Sequence, residues 1–217
     1  MKFKQILCFF ALLLLFILSS CLGADLDITI NQNGGGTMAL EYRISRSLDS
    51  LGKLDGNERW NTIPAGKADF ERSLARLPGI KLLSFSSGED EKNLNISVKA
   101  EFSDIDGLLA FMDAQGSVSS FTGGINSGSL SFILNEGQGI KNPLLNNLIE
   151  SISRGYAIRM KVTFPGPGRL EIFDNKGRTL NTIPGSEINP TGKTVSCSIP
   201  LYGILSSPEG IKLVFSY

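Results

Sequence analysis

Residues 94–102 read LNISVKAEF. In an extended chain Leu94, Ile96, Val98, Ala100 and Phe102 fall on one side, and Asn95, Ser97, Lys99 and Glu101 on the other. Side chains alternate across a strand with a period of two, so this stretch has one apolar and one polar face. That is the pattern of an antiparallel strand with one face on a core and one in water. The polar run SGEDEKN at 87–93 joins it to IKLLSFS at 80–86, which reads as its hairpin partner.

Outward from this hairpin the pattern alternates between strand and helix. Before it, Phe70, Leu74 and Leu77 recur at helical spacing within 67–77, and Pro78-Gly79 stops that helix. After it, Ser103 with Asp106 reads as an N-terminal cap, and Ile105, Leu108, Leu109 and Met112 make the apolar stripe of a helix over 104–115. Two short strands are expected in 117–134, around TGGINSG, with SLSFIL at 129–134 the stronger. Asn142 and Pro143 open a third helix over 142–152, with Leu144, Leu145, Leu148, Ile149 and Ile152 as its apolar face.

Both ends of the chain read as strands. DLDITIN at 25–31 and the alternation Met38, Leu40, Tyr42, Ile44 flank Asn33-Gly34-Gly35-Gly36, a hairpin signal. The glycine triplet lacks the Gly-Lys-Ser/Thr ending of a phosphate loop and leads into a strand. YAIRMKVTF at 156–164 alternates throughout; RLEIFD at 169–174, the run 194–201 and the C-terminal Ile211, Leu213, Phe215, Tyr217 follow. Residues 45–66, with the only tryptophan, Trp60, read as a polar loop. The expected fold is α+β: an antiparallel sheet of hairpins with about three helices packed on one face, a two-layer sandwich over residues 25–217.

Composition narrows the function. The chain has 217 residues, 21 basic and 21 acidic side chains, and no histidine. A zero net charge does not suit a general nucleic-acid binder. Without histidine there is no Ser-His-Asp triad, no Cys-His pair and no imidazole metal site. Three cysteines make neither a disulfide framework nor a four-cysteine zinc site. Of the acidic clusters, Asp104/Asp106 lies at a helix start and Glu89-Asp90-Glu91 in a turn, places where acids serve structure. Cys197 alternates with Val195 and Ile199, so it reads as a small buried hydrophobe. No enzyme, cofactor or metal site is expected.

The N-terminus carries an address. Lys2 and Lys4 precede the apolar run QILCFFALLLLFIL at 5–18, and Ser19-Ser20-Cys21 follows. A basic region, an apolar run and small residues before a cut make a secretory signal peptide. The run is shorter than the ~20 residues of a spanning helix. Leu18-Ser19-Ser20-Cys21 resembles the lipobox of bacterial lipoproteins. That resemblance implies cleavage of residues 1–20 between Ser20 and Cys21, a diacylglycerol thioether on Cys21, and residues 21–24 as the lipid-anchored N-terminus. Loss of Lys2 and Lys4 leaves 19 basic against 21 acidic side chains, a net of −2.

Three stretches of the mature chain together resemble the LppM-type lipoprotein domain family: DLDITINQNGGGTMALEYRIS at 25–45, IRMKVTFPGPG at 158–168 and GKTVSCSIPL at 192–201. The resemblance implies an envelope lipoprotein with an α+β domain that binds lipids or glycolipids, and it supplies no catalytic motif. Members of the mycobacterial type also carry a C-terminal transmembrane helix, which has no counterpart in this sequence. The expected function is therefore a membrane-anchored, non-enzymatic domain for a lipid, glycolipid or other hydrophobic ligand, held on the periplasmic or surface face of a bacterial envelope. The apolar faces of the second and third helices supply the candidate ligand contacts: Leu108, Leu109, Met112, Leu145, Leu148, Ile149 and Ile152. The alternative is an envelope protein-interaction or adhesin role through the loops 45–66, 87–93 and 123–128.

Overall fold

The computed structural model describes residues 22–45, 66–91, 93–113, 117–124, 127–137, 144, 147, 150–151, 153 and 155–217. Cys21, the residues before it, and Trp60 lie outside them.

Strands β1 (Leu22–Ile30) and β2 (Gly36–Ser45) form the expected N-terminal hairpin. Gly34, with φ of 84°, takes the turn position that a side chain would strain, and Asn33 accepts from the Gly35 N–H at 3.1 Å. Helix α1 (Lys67–Leu74) precedes the hairpin β3 (Ile80–Glu89) and β4 (Asn93–Phe102). Helix α2 (Ile105–Met112) is capped one residue later than expected: Asp104, not Ser103, accepts from the Gly107 N–H at 2.8 Å. Ser103 instead donates to Asp104 at 2.9 Å. These bonds, the Gly107 amide first, hold the Asp104 carboxyl below its ordinary pKa.

Strands β5 (Ser119–Gly124) and β6 (Ser127–Asn135) follow. Of the expected third helix, the described residues 144, 147, 150, 151 and 153 are helical. Leu144, expected on its apolar face, is 80% exposed. The chain ends with β7 (Ala157–Thr163), β8 (Arg169–Phe173), β9 (Glu187–Thr191), β10 (Thr194–Pro200), helix α3 (Leu201–Ser206) and β11 (Ile211–Ser216).

The single sheet expected from the alternation is two. A seven-stranded sheet runs β3-β4-β2-β1-β7-β10-β9, and a four-stranded sheet runs β5-β6-β11-β8. The large sheet is mixed, because β1 and β7 pair in parallel, with Leu26 opposite Met160 and Ile28 opposite Val162. Alternation assigns a residue to a face but names no neighbour, and a strand pair distant in sequence needs no hairpin. Among the described residues, the small sheet, with Leu108 of α2 and Ile204 of α3, packs into the same apolar cluster as the large sheet.

One apolar cluster joins the two sheets. Ile28, Met38, Phe102, Val162 and Ile199 come from the large sheet, and Leu130, Phe132, Ile172, Leu213 and Phe215 from the small one. Each large side chain buried here contributes about 1.5–3 kcal/mol relative to exposure. A second cluster lies under α1, where Phe70 meets Tyr42, Ile96 and Val98 and tilts against Phe85 at 5.6 Å. Both inner faces are thereby occupied.

Candidate functional site

Of the candidate ligand residues named above, the structure describes three. Leu108 is fully buried in the shared core, and Leu109 and Met112 pack half-buried against the same cluster. Leu145, Leu148, Ile149 and Ile152, like Ser20 and Cys21, lie outside the described residues. Cys197 is buried between β7 and β9, and burial pushes its thiol pKa up to about 11, so the thiolate is scarce at neutral pH. Among the described residues no group of three or more His, Cys, Asp or Glu side chains is placed to hold a metal ion. No described helix is long and apolar enough to cross a membrane.

Concave surface lies on the outward faces of the two sheets. On the large sheet, β1 supplies Asp25 and Asp27, and β7 supplies Arg159 and Lys161 directly opposite in register. Arg159 donates to Asp25 at 3.1 Å, and Lys161 to Asp27 at 2.8 Å. All four side chains are about half exposed, so each pair is worth below about 1 kcal/mol. A groove of about 410 Å³ runs between these residues, Glu41 and Asn189. Four of its charged side chains are paired with one another across β1 and β7, and Leu26, Ala39, Met160 and Cys197 also line it.

On the small sheet the outward face differs. β11 turns Leu213 and Phe215 into the core, so Lys212 and Val214 face away from it. Lys212 stands between Ile133 of β6 and Phe173 of β8; Val214 stands between Ser131 and Glu171. Ile133, Phe173 and Val214 are half-buried and belong to neither core cluster. They floor a groove of about 640 Å³, with Lys212, Glu136, Asp174 and Asn175 among its lining residues. Lysine can lay its aliphatic stem on apolar neighbours and keep its ammonium at the surface.

One wall of this groove is a stiff turn. Asp174 is 1% exposed; one oxygen accepts from the N–H groups of Lys176 and Arg178, each at 2.8 Å. The other accepts from Arg178 Nε at 2.6 Å, and Arg178 reaches on to Glu209 at 2.6 Å. Burial alone raises the Asp174 pKa, but the Arg178 N–H, the guanidinium and the Lys176 N–H outweigh it and hold the carboxyl below its ordinary range. Asn175 ties this turn to the Glu136 carbonyl. Gly210, with φ of 80°, lies against Asn175 where a side chain would collide with it. Asn135 binds the carbonyls of Ile204 and Ser207 at 2.6 and 3.1 Å, fixing the end of β6. These contacts give the groove a preformed polar end beside an apolar floor.

The sequence reading named ligand contacts on the helices and did not foresee this groove. A signal was present: SFIL at 131–134 and LVF at 213–215 carry consecutive apolar residues, and a consecutive run puts apolar side chains on both faces of a strand.

No protein-family model and no curated protein matches the chain. Among solved structures it is similar to the folded domain of LppM from Mycobacterium tuberculosis, at 16% identity and a TM-score of 0.44, over 90% of this chain and 88% of that one. That domain bears the name of the family that the three sequence stretches resemble, and a likeness this distant carries no statement about ligand or site.

Proposed function

We propose that this chain is a lipid-tethered, non-enzymatic envelope lipoprotein whose domain holds an amphiphilic lipid or glycolipid on the outward face of the small sheet. The observation that carries the reading is the groove floored by Ile133, Phe173 and Val214. Its volume of about 640 Å³ falls within the range of about 300–1,000 Å³ that suits a small ligand. An acyl chain fits the apolar floor. A polar or anionic head fits Lys212 and Asn175, since the neighbouring Arg178 is already engaged by Asp174 and Glu209. The lipobox at Leu18–Cys21 supports the tether, because two or more acyl chains hold a protein stably where one does not. The absence of histidine supports a binding role over a catalytic one.

A protein-interaction role is the second reading, favoured by the exposed ionic face of the large sheet. Mass spectrometry of lipid extracted from the purified Cys21→Ser protein separates the two. A co-purifying amphiphile that is lost in Val214→Glu supports the ligand groove. Protein free of lipid, and not depleted by liposomes, sinks it.

A further inference from the structure

We propose that the end of the large sheet where β1 begins is the surface that rests on the bilayer, and that Arg43 meets a lipid phosphate there. The proposal rests on the reading of Cys21 as the acylated residue. β1 starts at Leu22, the residue after Cys21. A chain spans at most about 3.6 Å per residue. The acylated residue therefore leaves no slack between the lipid and a strand that is hydrogen-bonded along its length. β1 is the middle strand of the seven, with three on each side. A tether of this kind fixes which end of the sheet faces the membrane.

The registers state what lies at that end: Arg43 near the end of β2, Asn93 at the start of β4, Gly88 and Glu89 at the end of β3, Ala157 of β7 and Pro200 of β10. Arg43 stands opposite Gly23. Its guanidinium lies over that glycine, with Nη2 3.0 Å from where a Cβ would sit. The missing side chain at Gly23 makes room for the cation two residues from Cys21. Among the described residues Arg43 forms no ion pair. A shallow groove of about 350 Å³ opens beside it; Ser86, Ser87, Gly88 and Asn95 line it, as do the carboxylates of Asp25 and Glu41.

The acids at this end are spent or peripheral. Asp25 pairs with Arg159, Glu41 accepts from Ser97 at 3.5 Å, and Asp90 holds Asn93 and Asn95 at 2.7 and 2.9 Å. Glu89, the last residue of β3, and Glu91 in the turn after it lie at one corner of the sheet and Glu187 at the other. The central unpaired charge is a guanidinium, whose planar fork matches a phosphate. The acyl chains supply the anchoring, so the work of Arg43 is orientation. The opposite end, with the turn at Gln32, stands a strand length away, about 30 Å for 9 residues at ~3.3 Å each.

The test uses the full acylated chain in vesicles of phosphatidylethanolamine and phosphatidylglycerol that carry a spin-labelled headgroup as quencher. A fluorophore is placed at Gly88→Cys, where an added side chain meets open space, or at the exposed Gln32→Cys; Cys197 is buried and does not compete. The expected result is loss of fluorescence from the label at Gly88→Cys and none from the label at Gln32→Cys. A long Gly/Ser insertion between Cys21 and Leu22 should erase the difference while acylation persists. Arg43→Gln should weaken the quenching and Lys99→Gln should not. Equal quenching at both ends, with palmitate still incorporated at Cys21, overturns the orientation and leaves the tether standing. No palmitate incorporation overturns both. Quenching unchanged in Arg43→Gln overturns the phosphate contact.

Discussion

The two sheets share a core and differ in what they turn away from it. The large sheet presents Asp25 and Asp27 against Arg159 and Lys161, charges that satisfy one another in water. The small sheet presents Ile133, Phe173 and Val214 around Lys212. Outward ionic pairs follow from solubility and need no ligand. An outward apolar strip beside a rigid polar turn does not follow from solubility. On the proposed reading these half-buried side chains are the floor of the ligand groove.

Neighbouring residues on β11 offer the sharpest way to break this contrast. Phe215 is fully buried and meets Phe132 edge-on at 6.1 Å. Phe215→Ala should lower stability by about 3–5 kcal/mol in urea unfolding. Val214→Ser, one residue away and facing outward, should change it by less than about 0.5 kcal/mol. Comparable losses from both would mean that Val214 belongs to the core, and the groove would lose its floor.

Removal of the cap at Asp104 comes next in size. Asp104→Ala should cost about 1 kcal/mol, because the Gly107 N–H loses its acceptor. It should leave the binding of acyl-chain probes unchanged, since α2 lies away from the groove; altered binding would move the site back to the helix.

Acid should act on the groove wall. Asp174 titrates below its ordinary value of 3.8 in the folded chain. Its contribution is thus fully present above the unfolded pKa and is lost as pH falls through the lower folded value. Asp174→Asn should flatten the fall in stability in that acid window. An identical acid profile in the variant would remove Asp174 from the account of the wall.

The smallest effect is expected on the large sheet. A double-mutant cycle of Asp27→Asn and Lys161→Gln should give a coupling below about 1 kcal/mol that fades with salt. A coupling several-fold larger, insensitive to salt, would mean that this face is covered rather than open.

Much of the fold was legible where burial is one-sided. β4 alternates cleanly and its buried residues are those on the apolar face of the sequence; in β7 Met160 and Val162 follow the same rule, with Ala157 at the strand start buried on the other face. β9 left no such trace, because all five of its residues are exposed and no periodic signal exists to read. α3 was not foreseen: only its first residue, Leu201, was assigned, as the end of the strand 194–201, and six residues with Leu201 and Ile204 buried are too few to show a helical spacing. The parallel pairing of β1 and β7 had one overlooked signal, acids at Asp25 and Asp27 and bases at Arg159 and Lys161 with the same spacing. The groove was illegible for a different reason. Its floor takes one residue each from β6, β8 and β11, and only the sheet order places them side by side.

Methyl-detected NMR with a short-chain phospholipid, added below its micelle concentration to the Cys21→Ser protein, tests the central claim most directly. The account predicts that the methyl signals of Ile133 and Val214 move together and saturate, while those of Ile28 in the shared core stay fixed. Shifts confined to other residues, or no saturable shift at Ile133 and Val214, would contradict it.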